Sequence, residues 1–236
     1  MYRKEIYKKY LSTDNYDINE LEDNFNESVH YSAIIKHNLP KDKNSKILDV
    51  GCGYGRFLNF LKSESFNNIT GLEVGKEQCD FLKGKDIDLI ETDLMSFLSN
   101  SNEKFDLITM FDVLEHFNKN EILIIVSSLK KRLNKSGILI IQVPNGEAIF
   151  KGGIMYGDFT HETFFTVRSL NQIFKLYDYS KINIYPLYPV MHGFFSLIRR
   201  IGFRVIDLFY KSILIFERGT LKGFVSTQNL LAIIKK

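Results

Sequence analysis

"ILDVGCGYG", residues Ile47 to Gly55, is a short apolar run that breaks into three glycines within five positions. An apolar run halted by glycine has the pattern of a buried strand ending in a loop. Glycine there permits positive φ and lets a ligand approach backbone that carries no Cβ. In an open α/β sheet, ligands collect at the carboxyl ends of the strands. The loop 51–55 is therefore a ligand loop by position. A dinucleotide fingerprint, GxGxxG, would match at Gly51 and Gly53, but its last glycine falls on Arg56. That last glycine serves close helix–strand packing, so an arginine there argues against a dinucleotide. Asp49 argues the same way. Its carboxylate would repel a pyrophosphate and would suit a cationic ligand or an ammonium group.

Outward from the loop the pattern alternates. "GRFLNFLKS" (55–63) continues as a helix, "NITGLEV" (68–74) as a second strand, "KEQCDFLKG" (76–84) as a helix closed by Gly84, and "DIDLIE" (86–91) as a third strand. "KFDLITMF" (104–111) gives a fourth strand. In "KNEILIIVSSLKKRL" (119–133) the apolar residues Ile122, Ile125, Val126, Leu129 and Leu133 share one helix face. Lys130, Lys131 and Arg132 sit in its last turns, where cations suit the helix dipole. "ILIIQV" (138–143) is a fifth strand halted by Pro144. Strands alternating with helices specify a parallel sheet covered on both faces.

Beyond residue 143 the rhythm changes. Residues 144–166 are irregular, "VRSLNQIFKLY" (167–177) is a helix, "KINIYPLYP" (181–189) a strand, and "TQNLLAIIKK" (227–236) a last strand. Before the sheet, residues 1–44 are polar and Tyr-rich, with a helix expected from Asp17 to His37 and a linker at Pro40. The expected organisation is an N-terminal helical cover over 1–44 and one domain over 45–236, with a helical insert at 191–217.

Composition narrows the class. With 236 residues, 44% hydrophobic and 25% charged, the chain can build one sizeable core. A net charge of +3, carried by scattered lysines, leaves no basic stripe, so nucleic acid is not an expected partner. The two cysteines, Cys52 and Cys79, form neither a CxxC pair nor a disulfide framework, which suits a reducing compartment. "MYRKEIYKKY" has no apolar centre, so no signal peptide is expected. No apolar run reaches about 18 residues, so no transmembrane helix is expected either. The expected location is the cytoplasm, or the inner face of a membrane if the apolar insert makes peripheral contact.

Two further acids follow the loop in order. Glu73 ends the second strand about 20 residues on, where an acid can bind both hydroxyls of a ribose. Asp93, in "IETDL" after the third strand, is placed to accept a bond from an adenine amino group. A glycine loop alone would as easily be a tight turn; the acids behind it in order make the difference.

This ordered set resembles the class I S-adenosylmethionine-dependent methyltransferases. "ILDVGCGYG" is similar to the first motif of that family, "ITGLEVG" (69–75) to the second, "IETDL" (90–94) to the third and "FDLITMFDVLEHF" (105–117) to the fourth. The resemblance covers about residues 45–175. It implies a Rossmann-like seven-stranded, mostly parallel sheet whose last strand runs antiparallel, with S-adenosyl-L-methionine as cofactor. It places Asp49 and Gly51 near the methionine amine, with Cys52, Gly53 and Gly55 completing the loop. Glu73 and Val74 take the ribose side, Asp93 and Leu94 the adenine side, and Phe111, Asp112 and Leu114 line the pocket from the fourth strand.

Methyl transfer from a sulfonium needs chiefly alignment of nucleophile, methyl and sulfur. An acceptor hydroxyl also needs a base near neutral pH, and histidine suits that task. Of the five histidines, His30 and His37 lie on the expected N-terminal helix and are read as surface or packing residues. His192 opens the apolar insert and is ambiguous. His116 follows the fourth strand at the ligand end of the sheet. His161 sits in "YGDFTHETFFT" (156–166), where polar and aromatic residues crowd a long loop. That segment, with "FTVRSL" (165–170), resembles a subgroup acting on small molecules and cell-surface sugars. The competing account is that Thr166 or Ser169 caps the next helix and His161 braces the loop. His161, His116 and Asp158 are the candidate catalytic residues. No HExxH-type spacing is present, so no metal is expected.

In the insert, Arg200, Arg204, Asp207 and Lys211 are spaced as one polar stripe on a helix, surrounded by Leu, Ile, Val and Phe. Three readings stand: a helical pair packed on the domain or a dimer seam, a lid over the acceptor site, or an amphipathic helix on a membrane surface. "MFDVLE" stands after the fourth strand in place of "NPPY", which disfavours methylation of a planar base or amide nitrogen. The expected activity is O-methylation of a small molecule: a sugar, sugar nucleotide or phosphoryl acceptor in bacterial capsule or lipopolysaccharide synthesis. A quinone-like acceptor, or an inactive cofactor-binding partner subunit, are the alternatives.

Overall fold

The structure, a computed structural model, describes residues 2–10, 31, 33–188 and 193–236. The strands are β1 (Ile47–Val50), β2 (Ile69–Glu73), β3 (Asp88–Glu91), β4 (Phe105–Phe111), β5 (Leu133–Pro144), β6 (Lys181–Leu187) and β7 (Asn229–Lys235). They form one seven-stranded sheet in the order β3-β2-β1-β4-β5-β7-β6. β7 runs antiparallel to both β5 and β6, and the other neighbours pair in parallel. The chain winds outward from β1 to β3, then returns to lay β4 on the other side of β1. The carboxyl ends of β1 and β4 thus form the switch point where this architecture opens a crevice.

Both faces of the sheet are apolar, which is why its central strands are continuous hydrophobic runs. Leu48, Val50, Ile108, Met110, Leu139 and Ile141 feed one core. Ile47, Leu107 and Ile140, alternating with them, feed the other. The first core is covered by α5 (Leu94–Asn100), α6 (Lys119–Arg132) and α8 (Val167–Leu176). The second is covered by α2 (Ala33–His37), α3 (Arg56–Ser63) and α4 (Lys76–Leu82). The short helices α1 (Tyr2–Tyr7) and α7 (Gly152–Tyr156) lie outside these layers, and α9 (Phe194–Arg218) is the longest helix.

Several expectations shift. β5 begins at Leu133, because that residue already pairs with Phe105 across a bulge. α5 was not anticipated; Asp93 starts it by accepting the Ser96 N–H at 2.9 Å. α7 arises within a segment expected to be irregular. Most of the helix expected from Asp17 to His37 lies outside the described residues, and Ala33–His37 is helical. Thr166 and Ser169 do form a capping box at the start of α8.

The C-terminal insert is one helix rather than a pair. Asp207 and Leu214 are buried and Arg200, Phe203 and Lys211 half-buried, so most of the polar stripe faces the body of the protein. Phe194, Phe195, Ile201, Val205, Leu208, Phe209 and Phe216 face outward. Among the described residues, no helix is long and apolar enough to cross a membrane.

Candidate functional site

A cleft of about 480 Å³ opens at the switch point. That volume suits a nucleoside-sized ligand. Its loop end is built by the turn after β1. Gly51 has φ +65°, and a Cβ there would lie 2.4 Å from Val113 Cγ2. Only glycine meets both demands. Beside the turn, Glu73 ends β2 with a carboxylate held by three backbone N–H groups. Gly53 donates to Oε2, and Val74 and Gly75 donate to Oε1, each at 2.8 Å. Burial raises the Glu73 carboxyl, and those three donors pull it back down. Oε2 keeps a lone pair for a ligand. Asp93 lines the cleft a little further along, held by the Ser96 N–H and hydroxyl at 2.9 and 2.7 Å.

Asp49 lies beneath this turn. It is 2% exposed and does not line the cleft. The Thr109 hydroxyl donates to it at 2.6 Å. Burial pushes its carboxyl up to about 7, against the Thr109 bond, which lowers it, and with the nearby Glu73 charge, which raises it.

The opposite end is assembled from distant segments. After β4 the backbone turns sharply at Asp112, whose φ is +54°, into a 3₁₀ turn over Leu114–His116. The loop after α7 docks on that turn. The Glu162 and Thr163 N–H groups both donate to the Glu115 carbonyl, at 2.9 and 3.0 Å. Thr163 Oγ1 donates to the Phe117 carbonyl at 2.8 Å. This stitching brings the His116 and His161 rings to 4.9 Å, centroid to centroid. His116 Nδ1 is 2.7 Å from Thr160 Oγ1, which donates to Asp158 Oδ1 at 2.6 Å. Burial holds the His116 imidazole below its ordinary value although the Asp158 charge favours the imidazolium. Asp158 is held low by hydrogen bonds from Thr160 and Tyr10, which outweigh its burial.

Glu115 is fully buried, and neither carboxylate oxygen has a hydrogen-bond partner. Desolvation pushes its carboxyl far above the ordinary range. Over this end lies α1. Arg3 donates to the His116 carbonyl at 2.9 Å and pairs with Glu121 at 2.6 Å, its guanidinium 5.3 Å from the Phe117 ring centroid. Tyr7 and Tyr10 complete that wall.

Of the residues expected at a cofactor site, Gly51, Gly53, Glu73, Val74, Asp93, Leu94 and Asp112 line the cleft. Cys52 packs beneath the turn in the second core, and Gly55 caps α3 with φ 79°. Leu114 is fully buried in the first core. Phe111 does not line the cleft: its ring packs on Phe57 and Tyr31 on the far face, with centroids 4.9 and 6.1 Å away. Within β4, Phe111 alternates with Met110, which feeds the first core, so its ring takes the side of the second core. His116 lines the cleft, with His161 behind it and Asp158 two bonds further out. His37 is exposed, and His30 and His192 lie outside the described residues. Arg3, Tyr7, Tyr10 and Glu115 were missed. Glu115 alone had a signal, as the acid adjoining His116 in "LEHF".

A family profile described as a methyltransferase domain matches residues 25–184, more than half of the chain. The chain belongs to this methyltransferase family. No curated protein matches it significantly. Among solved structures, the methyltransferase is similar to an S-adenosylmethionine-dependent methyltransferase from Archaeoglobus fulgidus, with TM-score 0.66 and 18% identity over 98% of this chain and 99% of that one. It is also similar to phosphoethanolamine N-methyltransferase 2 of Haemonchus contortus in complex with S-adenosyl-L-methionine, with TM-score 0.63 and 15% identity over 97% of this chain and 60% of that one. A third is the plantazolicin methyltransferase BpumL in complex with S-adenosylhomocysteine, with TM-score 0.61 and 17% identity over 99% and 93%. At these identities the likeness is one of fold.

Proposed function

We propose that this methyltransferase moves the methyl group of S-adenosyl-L-methionine to an oxygen of a small, polar acceptor. One observation carries the cofactor assignment: the Glu73 carboxylate, gripped by three N–H groups beside a glycine turn that no Cβ could enter. Glu73 receives a ribose hydroxyl, Asp93 faces the adenine, and Gly51 and Gly53 let the methionine portion lie against bare backbone. Asp49 acts through space from beneath the turn, its negative charge favouring the sulfonium and ammonium. Calorimetry with the cofactor tests this: Asp49→Ala and Gly51→Val both weaken binding, and unchanged affinity in both variants refutes the assignment.

At the reacting centre an acceptor oxygen attacks the methyl carbon, the O–C bond forms, and the C–S pair returns to sulfur. The sulfonium becomes a neutral thioether, and the acceptor loses its proton. The protein supplies alignment and a means of taking up that proton. His116 and His161 are assigned to activating the acceptor hydroxyl, and Asp158 is a positioning residue acting through Thr160. α1 covers the acceptor, and its Arg3 and Tyr7, with Tyr10 just beyond it and Glu121, provide the donors and acceptors that a sugar or phosphoryl compound needs. Such acceptors belong to bacterial capsule or lipopolysaccharide synthesis. Mass spectrometry with a panel of sugar nucleotides tests it: the product gains one CH₂, and a panel wholly unmodified while amines are methylated overturns the oxygen assignment.

The outward apolar face of α9 is assigned to the surface of an anionic membrane. Arg199 and Arg204 are exposed among its Phe and Ile residues, the pairing that suits lipid tails with acidic headgroups. Co-sedimentation with phosphatidylglycerol vesicles tests this. Failure to bind, with a dimer in sedimentation velocity, assigns the face to a second copy of the chain instead.

A further inference from the structure

Two side chains at the acceptor end, Glu115 and His161, face each other with no hydrogen bond between them, and the His116 ring lies beside them. His116 Nδ1 lies 2.7 Å from Thr160 Oγ1, whose hydroxyl is 2.6 Å from Asp158 Oδ1. Its Nε2 lies 3.2 Å from the Asp112 carbonyl, which can only accept, so the two contacts compete for the one proton of a neutral ring. His161 has one such contact only. Its Nδ1 is 3.3 Å from the Met155 carbonyl, which can only accept, so the proton sits there and Nε2 is bare. That Nε2 faces Glu115 Oε1 at 4.0 Å. Glu115 itself is 0% exposed, with both oxygens unpartnered. An orphaned buried carboxylate is costly unless something occupies the space it faces.

We propose that Glu115, His116 and His161 form a binding site for one first-row divalent cation, placed to coordinate the acceptor's oxygen. One ligand atom from each of the three lies within 4.8 Å of the others. Bond lengths of about 2.0–2.2 Å to nitrogen and oxygen require separations near 3–3.4 Å, so the side chains close by roughly 1 Å around the ion. Two imidazoles and one carboxylate select a borderline metal such as Zn²⁺, Mn²⁺ or Co²⁺ over Ca²⁺. Three protein ligands leave positions open for water or substrate, as catalytic rather than structural sites do. The outer partners fit as well: Asp158 through Thr160 orients the His116 ring, and the Met155 carbonyl holds His161 in the tautomer that presents Nε2. The inference rests on the acceptor site lying at this end of the cleft and specifies how the hydroxyl there is activated. The ion binds the acceptor O–H and lowers its pKa, and the proton leaves to solvent as the O–C bond forms. Both histidines serve as ligands.

The test needs no acceptor. The full chain is stripped with a chelator and titrated with Co²⁺, followed by calorimetry and by the visible absorption of the bound ion. One equivalent binds, and Glu115→Gln or His161→Asn weakens binding at least 100-fold. Thr160→Val, which keeps all three ligands, weakens it about 10- to 100-fold. Cofactor affinity of each variant, unchanged, shows that it is folded. Absence of binding, or binding equal in the wild type and in a Glu115→Gln/His161→Asn double variant, overturns the site. Co²⁺ bound as described but no oxygen acceptor methylated leaves the site standing and removes the oxygen assignment. Oxygen methylation that persists after chelation, with no Co²⁺ bound, does the reverse.

Discussion

At the loop end of the cleft, Glu73 and Asp93 are already bonded by neighbouring backbone and hydroxyl donors, and the turn beside Glu73 is fixed by Gly51. At the acceptor end, Glu115 has two buried oxygens without a partner, and the bare Nε2 of His161 faces one of them at 4.0 Å. The first end is preorganised, and a ligand adds to what is there. The second is held together by backbone stitching yet left electrostatically incomplete. Buried polar groups are normally satisfied, so incompleteness at one end and not the other marks where the protein relies on something it binds. The contrast predicts that substitutions at the two ends separate binding from turnover.

The largest effect is expected at the incomplete end. His161→Ala should lower turnover by about 100- to 10,000-fold, the range that activation of a hydroxyl contributes. Its affinity for S-adenosylmethionine should stay within about twofold. A matching loss of cofactor affinity would mean that the two ends are not independent. Next comes the preorganised end. Gly51→Val places a branched side chain at φ +65° and 2.4 Å from Val113. Strain and overlap together cost several kcal/mol, so cofactor affinity should fall by about 100-fold or more. Wild-type affinity would show that the cofactor does not lie on this turn.

A third prediction uses pH. Burial raises Asp49 to about 7 from an ordinary 3.8. Between those values the folded protein holds a proton that the unfolded chain has lost. Asp49 therefore contributes stability that is complete below about pH 4 and is lost as the pH rises through about 7. Above pH 7 the ionised, buried carboxylate destabilises the unliganded protein by an amount on the order of a few kcal/mol. Asp49→Asn should accordingly raise the melting temperature at pH 8 in the absence of cofactor. The cationic cofactor prefers the ionised form, so wild-type affinity should rise about tenfold between pH 6 and 8, and that rise should vanish in Asp49→Asn. A pH-independent affinity in the wild type would remove Asp49 from cofactor binding.

The two ends also differ in how far the sequence revealed them. The loop end comes from consecutive β–α units, so Gly51, Glu73 and Asp93 appear in chain order, each at or just past the end of a strand. Local pattern suffices there. It also located the sheet, because strands buried on both faces are apolar without interruption. The acceptor end joins residues 3–10, 112–121 and 155–163, and nothing local says that these meet. His161 was noticed for the density of polar residues around it, whereas Glu115 was passed over although it adjoins His116 in "LEHF". What hid it was tertiary: the loop after α7 lies on the Glu115 carbonyl and seals its side chain from water. Phe111 shows the same limit in reverse. Its motif position suggested the cleft, but strand alternation turned it to Phe57. The polar stripe of α9 was legible in the sequence, but the insert proved to be one helix rather than a pair.

The smallest effect is expected at α1, where the two ends share a roof. Arg3 ties that helix to the floor through the His116 carbonyl and Glu121, with the Glu162 carboxylate 3.9 Å from its Nε, and Tyr2 beside it donates to the Glu162 carboxylate. These groups are about one-fifth to one-quarter exposed. Solvent screens such contacts, so their worth is modest, about 1 kcal/mol. Arg3→Ala should therefore leave the melting temperature within a few degrees of the wild type. It should raise the KM for the acceptor several-fold while changing cofactor affinity and kcat little, because a loosened roof costs acceptor binding before it costs alignment. Arg3→Lys should restore little, since one ammonium cannot reach both the carbonyl and the carboxylate in a fixed fork. If Arg3→Ala instead weakens the cofactor and the acceptor equally, α1 closes the whole cleft as one body, and the distinction between its two ends stops at the floor.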